Sequence, residues 1–191
     1  SHEREAERAL QLHRRAVTDE MNAEGTNITG LLIAQSDAIL HLLEGSSAAI
    51  LRILQKVANE NDFSSGVHSG RICYCVEDRP ARYYTEYFST TLPERKSSAE
   101  ALTGDTGKDA AHEMASTLLE FGKHIQQKLQ EEDEIELGKF GELLPTKQNI
   151  LGLAACDAFF SLTEYVDFYA GPYSVLLESE SAWPLMPVCQ Y

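Results

Sequence analysis

The sequence lacks a long apolar run, an excess of basic residues and a leader-like N-terminus. No apolar run reaches the roughly 18 residues that a membrane-spanning helix needs. Acidic residues outnumber basic ones by 30 to 16, and the net charge of −14 disfavours nucleic acid and anionic membranes as direct partners. The first residues are polar, unlike a signal peptide, and the chain begins without Met, so we expect further residues upstream. The apolar and charged fractions, 43% and 24%, are typical of a globular protein.

Complete catalytic and metal-binding motifs are also missing. The sequence contains no Gly-rich phosphate loop, no G-x-S-x-G elbow and no EF-hand spacing. His112-Glu113 begins like a zinc-protease helix, but Ser116 stands where such a site needs its second histidine. An acidic enzyme with paired carboxylates, Glu44 among them, is the weakest alternative because no constellation of residues supports it. We therefore predict that the protein is not an enzyme and has neither catalytic residues nor a metal site.

The cysteine content favours a reducing compartment. An even number of cysteines indicates disulfides only in a secretory context, which this sequence does not show, so we predict reduced thiols in an intracellular protein. Cys73 and Cys75 fall on one face of a predicted strand. Because a metal site would need further ligands at matching spacing, we interpret this pair as small buried apolar side chains. The four cysteines are Cys73, Cys75, Cys156 and Cys189.

Helices and strands alternate in the first half of the predicted structure. Helices are predicted from 3.6-residue apolar spacing, and strands from short apolar runs bounded by turn residues. The second strand of the predicted hairpin is apolar on both faces, so we expect it to be central and covered on both sides. Alternation puts Ile39, His41 and Leu43 on one of its faces. In chain order the predictions are a helix over 3–22, strands over 28–34 and 38–43, a helix over 46–61, and strands over 67–76 and 84–92.

The second half is predicted to be largely helical. Residues 93–108 are rich in Ser, Gly and charge, which is typical of a linker. Apolar spacing predicts helices over 109–131 and 146–169. The tail that follows contains Trp183-Pro184-Leu185-Met186-Pro187. Its two prolines predict an irregular structure, and its aromatic content indicates that it packs on something. We therefore divide the chain into an α+β domain at 1–92, a linker at 93–108, and a helical extension with an irregular tail at 109–191.

Two short motifs in the predicted hairpin resemble those of a known family. Ile28-Thr29-Gly30-Leu31-Leu32 is followed by Leu42-Leu43-Glu44-Gly45, and at this spacing the pair resembles the core motif of BLUF domains, which are flavin-binding blue-light sensors. Arg82-Tyr83-Tyr84-Thr85-Glu86-Tyr87 resembles the basic-aromatic segment before the last strand of that family. The resemblance covers residues 3–92. It implies an α+β fold with a ferredoxin-like, BLUF-type sheet and two helices on one face.

The light-sensing residues of that family are replaced in this chain. The resemblance implies a Gln where this chain has His41, and an Asn where it has Ala23, with Asn22 one residue early. A one-residue slip turns a helical side chain by about 100°, and an imidazole cannot rearrange as a Gln amide does. We therefore predict no cofactor and a core His41 whose ring nitrogens are satisfied by neighbours. The alternative is a sensory module that binds FAD or another planar ligand between its two helices, through His41, Ile39, Leu43 and Asn22.

The degenerate motif, the helical extension and the tail around Glu178 to Pro187 together resemble a BLUF-like family of ciliated and flagellated cells. This resemblance implies a non-enzymatic structural or adaptor component of the axoneme, in the cytoplasm of a cilium or flagellum. Its partners would be other axonemal or cytoskeletal proteins in a large assembly. The net charge would oppose docking on an acidic surface such as tubulin, except through a local basic patch. The candidate contact residues are Arg82, Tyr84, Tyr87 and Trp183.

Overall fold

The protein is an α+β structure in which helices cover both faces of a small sheet. The computed structural model describes residues 2–24, 26–59, 70–78, 80–94, 104–130 and 143–171. This architecture confirms the predicted α+β class. In chain order the elements are α1 (His2–Glu24), β1 (Thr29–Gln35), β2 (Ala38–Glu44), α2 (Ser47–Asn59), β3 (Arg71–Ile72), β4 (Tyr87–Thr91), α3 (Gly104–Gln130), α4 (Lys147–Ala155), β5 (Phe160–Ser161) and α5 (Leu162–Ala170).

β1 is the central strand of the main sheet. It pairs with β2 in antiparallel and with β4 in parallel orientation, which gives the order β2-β1-β4. All seven residues of β1 are buried, whereas most of β2 is half-buried. The prediction that the second hairpin strand is central is therefore wrong, since β2 is an outer strand of the described sheet. An apolar run covered on both faces is typical of an enclosed strand, and the strand enclosed by helices here is β1.

One face of the sheet packs against α1, α2 and α5. The three helices share a single apolar cluster, which we call the inner cluster. An ion pair also joins the first two helices, because Arg52 Nη2 lies 2.7 Å from Oε1 of the buried Glu20. The helices are thus in direct contact with each other as well as with the sheet. The buried members of the inner cluster are Leu12, Ala16, Val17, Ile28, Ala49, Ile53, Val57, Leu162 and Val166.

The opposite face of the sheet packs against α3. Alternation along β1 explains the division, since Leu31 and Ile33 join the cluster with α3 whereas Leu32 and Ala34 pack with Leu10 of α1. Because α3 and α5 complete clusters that begin in the first half, the predicted boundary at residue 92 does not separate two cores. The buried residues on the α3 side are Leu31, Ile33, Tyr84, Leu92, Leu118, Phe121, Ile125 and Leu144.

Two predicted strands are much shorter than expected. Within the described part of 67–76, the strand consists of Arg71–Ile72, and it pairs with β5 outside the main sheet. β4 begins at Tyr87 instead of residue 84. Both differences have the same physical reason: strand length depends on a partner that offers backbone groups in register, and apolar composition alone does not supply one.

The helix predicted over 146–169 is two helices. α4 ends at Ala155, and the next residue, Cys156, has an extended backbone with φ −76° and ψ 120°. α5 begins after Ser161, whose hydroxyl accepts a hydrogen bond from the Glu164 N–H while the Glu164 carboxylate accepts one from the Ser161 N–H. This Ser-x-x-Glu capping box is a helix start that the sequence itself contains. α3 likewise begins at Gly104, inside the predicted linker.

The β1–β2 hairpin depends on a close approach at Gly30. This residue has a φ of 140°, a conformation that favours glycine, and a Cβ placed on it would overlap the carbonyl oxygen of Leu42. Gly30 and Leu43 are register partners in the hairpin, so the overlap would occur within the strand pairing. The glycine of the first sequence motif is therefore required by the packing of one strand on the other.

We expect Gly30→Ala to lower the free energy of unfolding by about 4 kcal/mol, because it adds backbone strain and a clash with a backbone atom. Gly104→Ala is the matched control, since Gly104 also has a positive φ of 39° but a Cβ there meets nothing within 4 Å. The control should cost about 1 kcal/mol. Urea denaturation of both variants measures the difference, and equal losses would contradict this account of the hairpin.

Candidate functional site

A chain of hydrogen bonds joins α1 to the sheet beside the inner cluster. His13 Nδ1 lies 2.9 Å from His41 Nδ1, and His41 Nε2 lies 2.9 Å from the Tyr87 hydroxyl. The rings meet edge to face, with centroids 5.0 Å apart in the first pair and 5.7 Å in the second. His13 extends from α1, His41 from β2 and Tyr87 from β4. We call these three residues the His–His–Tyr chain.

Burial keeps the His–His–Tyr chain uncharged near neutral pH. It lowers the pKa of His13 to about 4. Burial also lowers the pKa of His41 well below its usual value, with the neighbouring His13 as a second cause. The pKa of Tyr87 is raised by burial, although Arg14 opposes this shift. Arg14 is itself held at the sheet, since its Nε donates to the Ser89 hydroxyl at 2.7 Å.

The uncharged His–His–Tyr chain has two possible arrangements of its protons. A neutral imidazole has one donor nitrogen and one acceptor nitrogen. In one arrangement Tyr87 donates to His41 Nε2 and His41 Nδ1 donates to His13. In the other, His13 Nδ1 donates to His41 and His41 Nε2 donates to Tyr87. Either arrangement uses both ring nitrogens of His41 within the protein, which is the environment predicted for a core histidine.

The predicted ligand-binding residues do not form one open site. Ile39 and Leu43 lie on the same strand face as His41, as alternation predicts, but both pack into apolar clusters beneath the helices. Asn22 is exposed near the end of α1. Sequence reasoning missed His13 as the partner of His41. The available signal was a histidine within the apolar stripe of the first helix.

Glu44 fastens the loop before β4 to the end of β2. Its Oε1 accepts a hydrogen bond from the backbone N–H of Tyr83 at 2.8 Å, and its Oε2 accepts one from Tyr84 N–H at 2.9 Å. The Thr29 hydroxyl donates to the same Oε2 at 3.1 Å. Bonds from a carboxylate to backbone N–H groups are among the stronger hydrogen bonds in proteins. The geometry therefore assigns Glu44 a structural role, as a clamp on the backbone.

Tyr84 is part of the core and not of the surface. It is 1% exposed, and its hydroxyl donates to the Leu118 carbonyl at 2.6 Å. A Cβ on Gly122 would lie 2.8 Å from the Tyr84 ring, so α3 covers this ring closely. The prediction that Tyr84 contacts a partner is therefore wrong. Tyr87 is half-buried and bonded within the His–His–Tyr chain, and Trp183 lies outside the described residues.

Arg82 is exposed and borders a cavity of about 270 Å³. Lys123, exposed on α3, places its ammonium 5.4 Å from the centre of the Tyr83 ring in the same lining. A cation at this distance is attracted to the face of an aromatic ring. The surface thus carries two cations on a chain whose net charge is −14. We call it the Arg82 groove, lined by Pro80, Ala81, Arg82, Tyr83, Lys123 and Gln126.

The described residues include three cysteines and other side chains of the types that ligate metals. No group of three His, Cys, Asp or Glu side chains among them is arranged to hold a metal ion. Cys73, Cys75 and Cys156 are unpaired thiols. Cys75 is exposed, which corrects the prediction that it is buried on a strand, because β3 ends at Ile72. None of the described helices is long and apolar enough to cross a membrane.

Comparison with known families decides where the chain belongs. The family model described as Testis-expressed protein 47 matches residues 2–171, which is most of the 191-residue sequence. The chain belongs to the testis-expressed protein 47 family. Membership of this family is consistent with a sperm-related role. The His–His–Tyr chain, the Glu44 clamp and the Arg82 groove all lie within the matched residues.

The two histidines of the His–His–Tyr chain predict how the stability of this testis-expressed protein 47 family member depends on pH. In the unfolded chain they titrate near 6.5, whereas the folded pKa of His13 is lowered to about 4 and that of His41 also falls. The unfolded state therefore binds protons first as the pH falls. The contribution of these two histidines to the free energy of unfolding is therefore fully present above pH 6.5. It decreases as the pH falls toward 4.

We expect His13→Gln to reduce the slope of unfolding free energy against pH between pH 6.5 and 5, because one of the two titrating groups is removed. His112→Gln is the control, since it replaces a histidine that is exposed on α3 and lies outside the His–His–Tyr chain. Urea titrations at several pH values measure both slopes. An unaltered slope in the His13→Gln variant would show that this histidine does not titrate on unfolding in that range.

Glu44→Gln tests the clamp in this family member. The amide keeps one acceptor oxygen but loses the charge and one of the two backbone contacts, so we expect a loss of about 2 kcal/mol in unfolding free energy. Glu86→Gln is the matched control, because Glu86 is an exposed glutamate in the loop that Glu44 holds. It should change stability by less than about 0.5 kcal/mol. If both variants unfold at the wild-type urea concentration, the carboxylate does not act as a clamp.

Proposed function

We propose that this chain is a non-enzymatic structural or adaptor protein of the sperm flagellar axoneme. In this proposal it lies in the cytoplasm of the flagellum, binds no cofactor and contacts other axonemal or cytoskeletal proteins in a large assembly. The testis-expressed family supports the cellular setting. The observation that carries the proposal is that the protein's own side chains occupy the face of the sheet that α1, α2 and α5 cover.

Direct contact between the first two helices supports a role without flavin. α1 and α2 share the inner cluster, and the ion pair between Glu20 and Arg52 bridges them. His41, which would face a planar ligand, already has both ring nitrogens bonded to His13 and Tyr87. A ligand placed between the helices would separate these contacts. Each buried polar group left unpaired would cost about 1–3 kcal/mol.

A degenerate BLUF-like fold is part of the same proposal. Thr29, Gly30 and Glu44, which carry the resemblance, make the hairpin approach and the loop clamp. These contacts hold strands together whether or not a flavin is present. A structural protein would need these residues because they hold the strands of the sheet together. It would not need the residues that bind flavin and respond to light. His41 in place of a switching amide fits this interpretation.

The Arg82 groove is the proposed contact surface. The net negative charge of this chain opposes contact with another acidic protein over most of its surface. Arg82 and Lys123, however, are two exposed cations beside the Tyr83 ring. An acidic segment of a neighbouring protein would bind there with its charge matched. Arg and Tyr side chains are also enriched among residues that dominate binding energy. The groove therefore supplies the local basic patch that docking on an acidic surface requires.

Charge reversal at Lys123 tests the groove. In sperm that express a tagged chain, we expect the wild-type protein to stay with the axoneme after detergent extraction. Lys123→Glu should weaken this retention about fivefold, because a peripheral charge contributes on the order of 1 kcal/mol. The fraction of tagged protein in the axonemal pellet over a salt series is the measurement. Lys108→Glu is the matched control, because Lys108 is exposed on the same helix but outside the groove lining.

Release of the wild-type protein by detergent alone would contradict the axonemal role. A flavin absorption band in the chain after incubation with FAD and gel filtration would favour the sensory alternative instead. Equal release of the Lys108→Glu and Lys123→Glu variants would reject the groove as the contact surface, while the adaptor role would still rest on wild-type retention.

A further inference from the structure

α5 presents aromatic rings to solvent. Leu162 and Val166 turn toward the inner cluster, whereas Phe168 is 60% exposed. Phe160, which lies in β5 just before the helix, is 56% exposed, and its ring stacks with that of Phe168 at a centroid distance of 6.3 Å. Tyr169 meets Phe168 edge to face at 5.1 Å. Exposed rings in mutual contact form a patch, and contiguous apolar patches mark binding sites.

The chain leaves α5 beside these rings. Phe168 and Tyr169 belong to the last turn of the helix, which ends at Ala170 and is followed by Gly171 with an extended backbone of φ −66° and ψ 149°. Pro172 follows and has no N–H with which to continue the helix. Gly171 is the last residue that the structure describes. The segment that follows therefore starts next to the patch formed by Phe160, Phe168 and Tyr169, which we call the α5 aromatic surface.

Residues 182–188 have the chemistry that this surface fits. None of them is charged, and Pro184 and Pro187 are three residues apart. Polyproline II has three residues per turn, so prolines at this spacing lie on one face, and segments of this kind dock on grooves lined by aromatic rings. Trp183 adds a large ring, and Met186 adds a thioether that makes favourable contacts with aromatic rings.

The connecting chain is long enough for the segment to return to the helix. The residues from Pro172 to Trp183 span at most about 40 Å at roughly 3.3 Å per extended residue. This reach is much larger than the surface itself, because the rings of Phe160 and Phe168 lie only 6.3 Å apart. We propose that the segment Ala182–Val188 docks in cis on the α5 aromatic surface. This inference does not depend on the axonemal role, because it concerns two parts of one chain.

Tryptophan fluorescence tests the docking directly. Trp183 is the single tryptophan of the sequence, so its emission reports on this segment alone. In the full chain we expect emission to the blue of free tryptophan in water and weak quenching by acrylamide. In the double variant Phe160→Ala/Phe168→Ala we expect a red shift and a several-fold larger quenching constant. Leu143→Ala is the matched control, because Leu143 is 58% exposed on a different part of the chain and should leave both signals unchanged.

A second variant tests the docking without altering α5. Leu185→Asp places a charge in the segment itself and should give the same red shift with unchanged circular dichroism. Water-like emission in the wild-type chain overturns the proposal, and so does a blue-shifted emission that persists in both variants. A blue shift that disappears on dilution, together with dimers in light scattering, assigns the surface to a second copy of the chain and overturns docking in cis.

Discussion

The carboxylate of Glu44 joins three parts of the chain that are far apart in sequence. It ends β2, accepts the Thr29 hydroxyl from β1, and holds the backbone N–H groups of Tyr83 and Tyr84 just before β4. Because β4 begins three residues after Tyr84, this junction sets where the parallel pairing with β1 starts. Gly30, which follows Thr29 on β1, lies close to the Leu42 carbonyl and so constrains the pairing of β1 with β2 at the same junction. Both helical layers pack on the sheet that these contacts define.

Polar groups inside the protein act as fixed links between layers. His13, His41 and Tyr87 connect α1 to two strands, and Glu20 with Arg52 connects α1 to α2. A buried polar group without a partner destabilises the folded state, so these paired groups favour the observed arrangement of the helices over the sheet. Among the described residues, the Arg82 groove and the α5 aromatic surface are two surfaces with distinct chemistry.

Local pattern was enough to predict α1, the hairpin, α2 and most of α3, because helical spacing and turn residues act over a few positions. The local pattern failed where apolar residues continue at helical spacing across the break between α4 and α5. The capping box of Ser161 and Glu164 lies inside a stretch that otherwise has helical spacing, so two helices looked like one. It also overestimated the strands at 67–76 and 84–92, because their length depends on distant partners. The resemblance located the residues of the hairpin junction, but their contacts came only from the fold.

The sequence by itself determined the α+β class, the alternating faces of the hairpin strands and the position of His41 on an inward face. Tertiary structure alone decided that β1 is central, that His13 is the partner of His41, and that Tyr84 is buried while Arg82 is exposed. The physical reason is distance along the chain. An aromatic or basic residue has the same local pattern whether a helix from the second half covers it or not, and only the packing of α3 separates the buried tyrosine from the exposed arginine two residues before it.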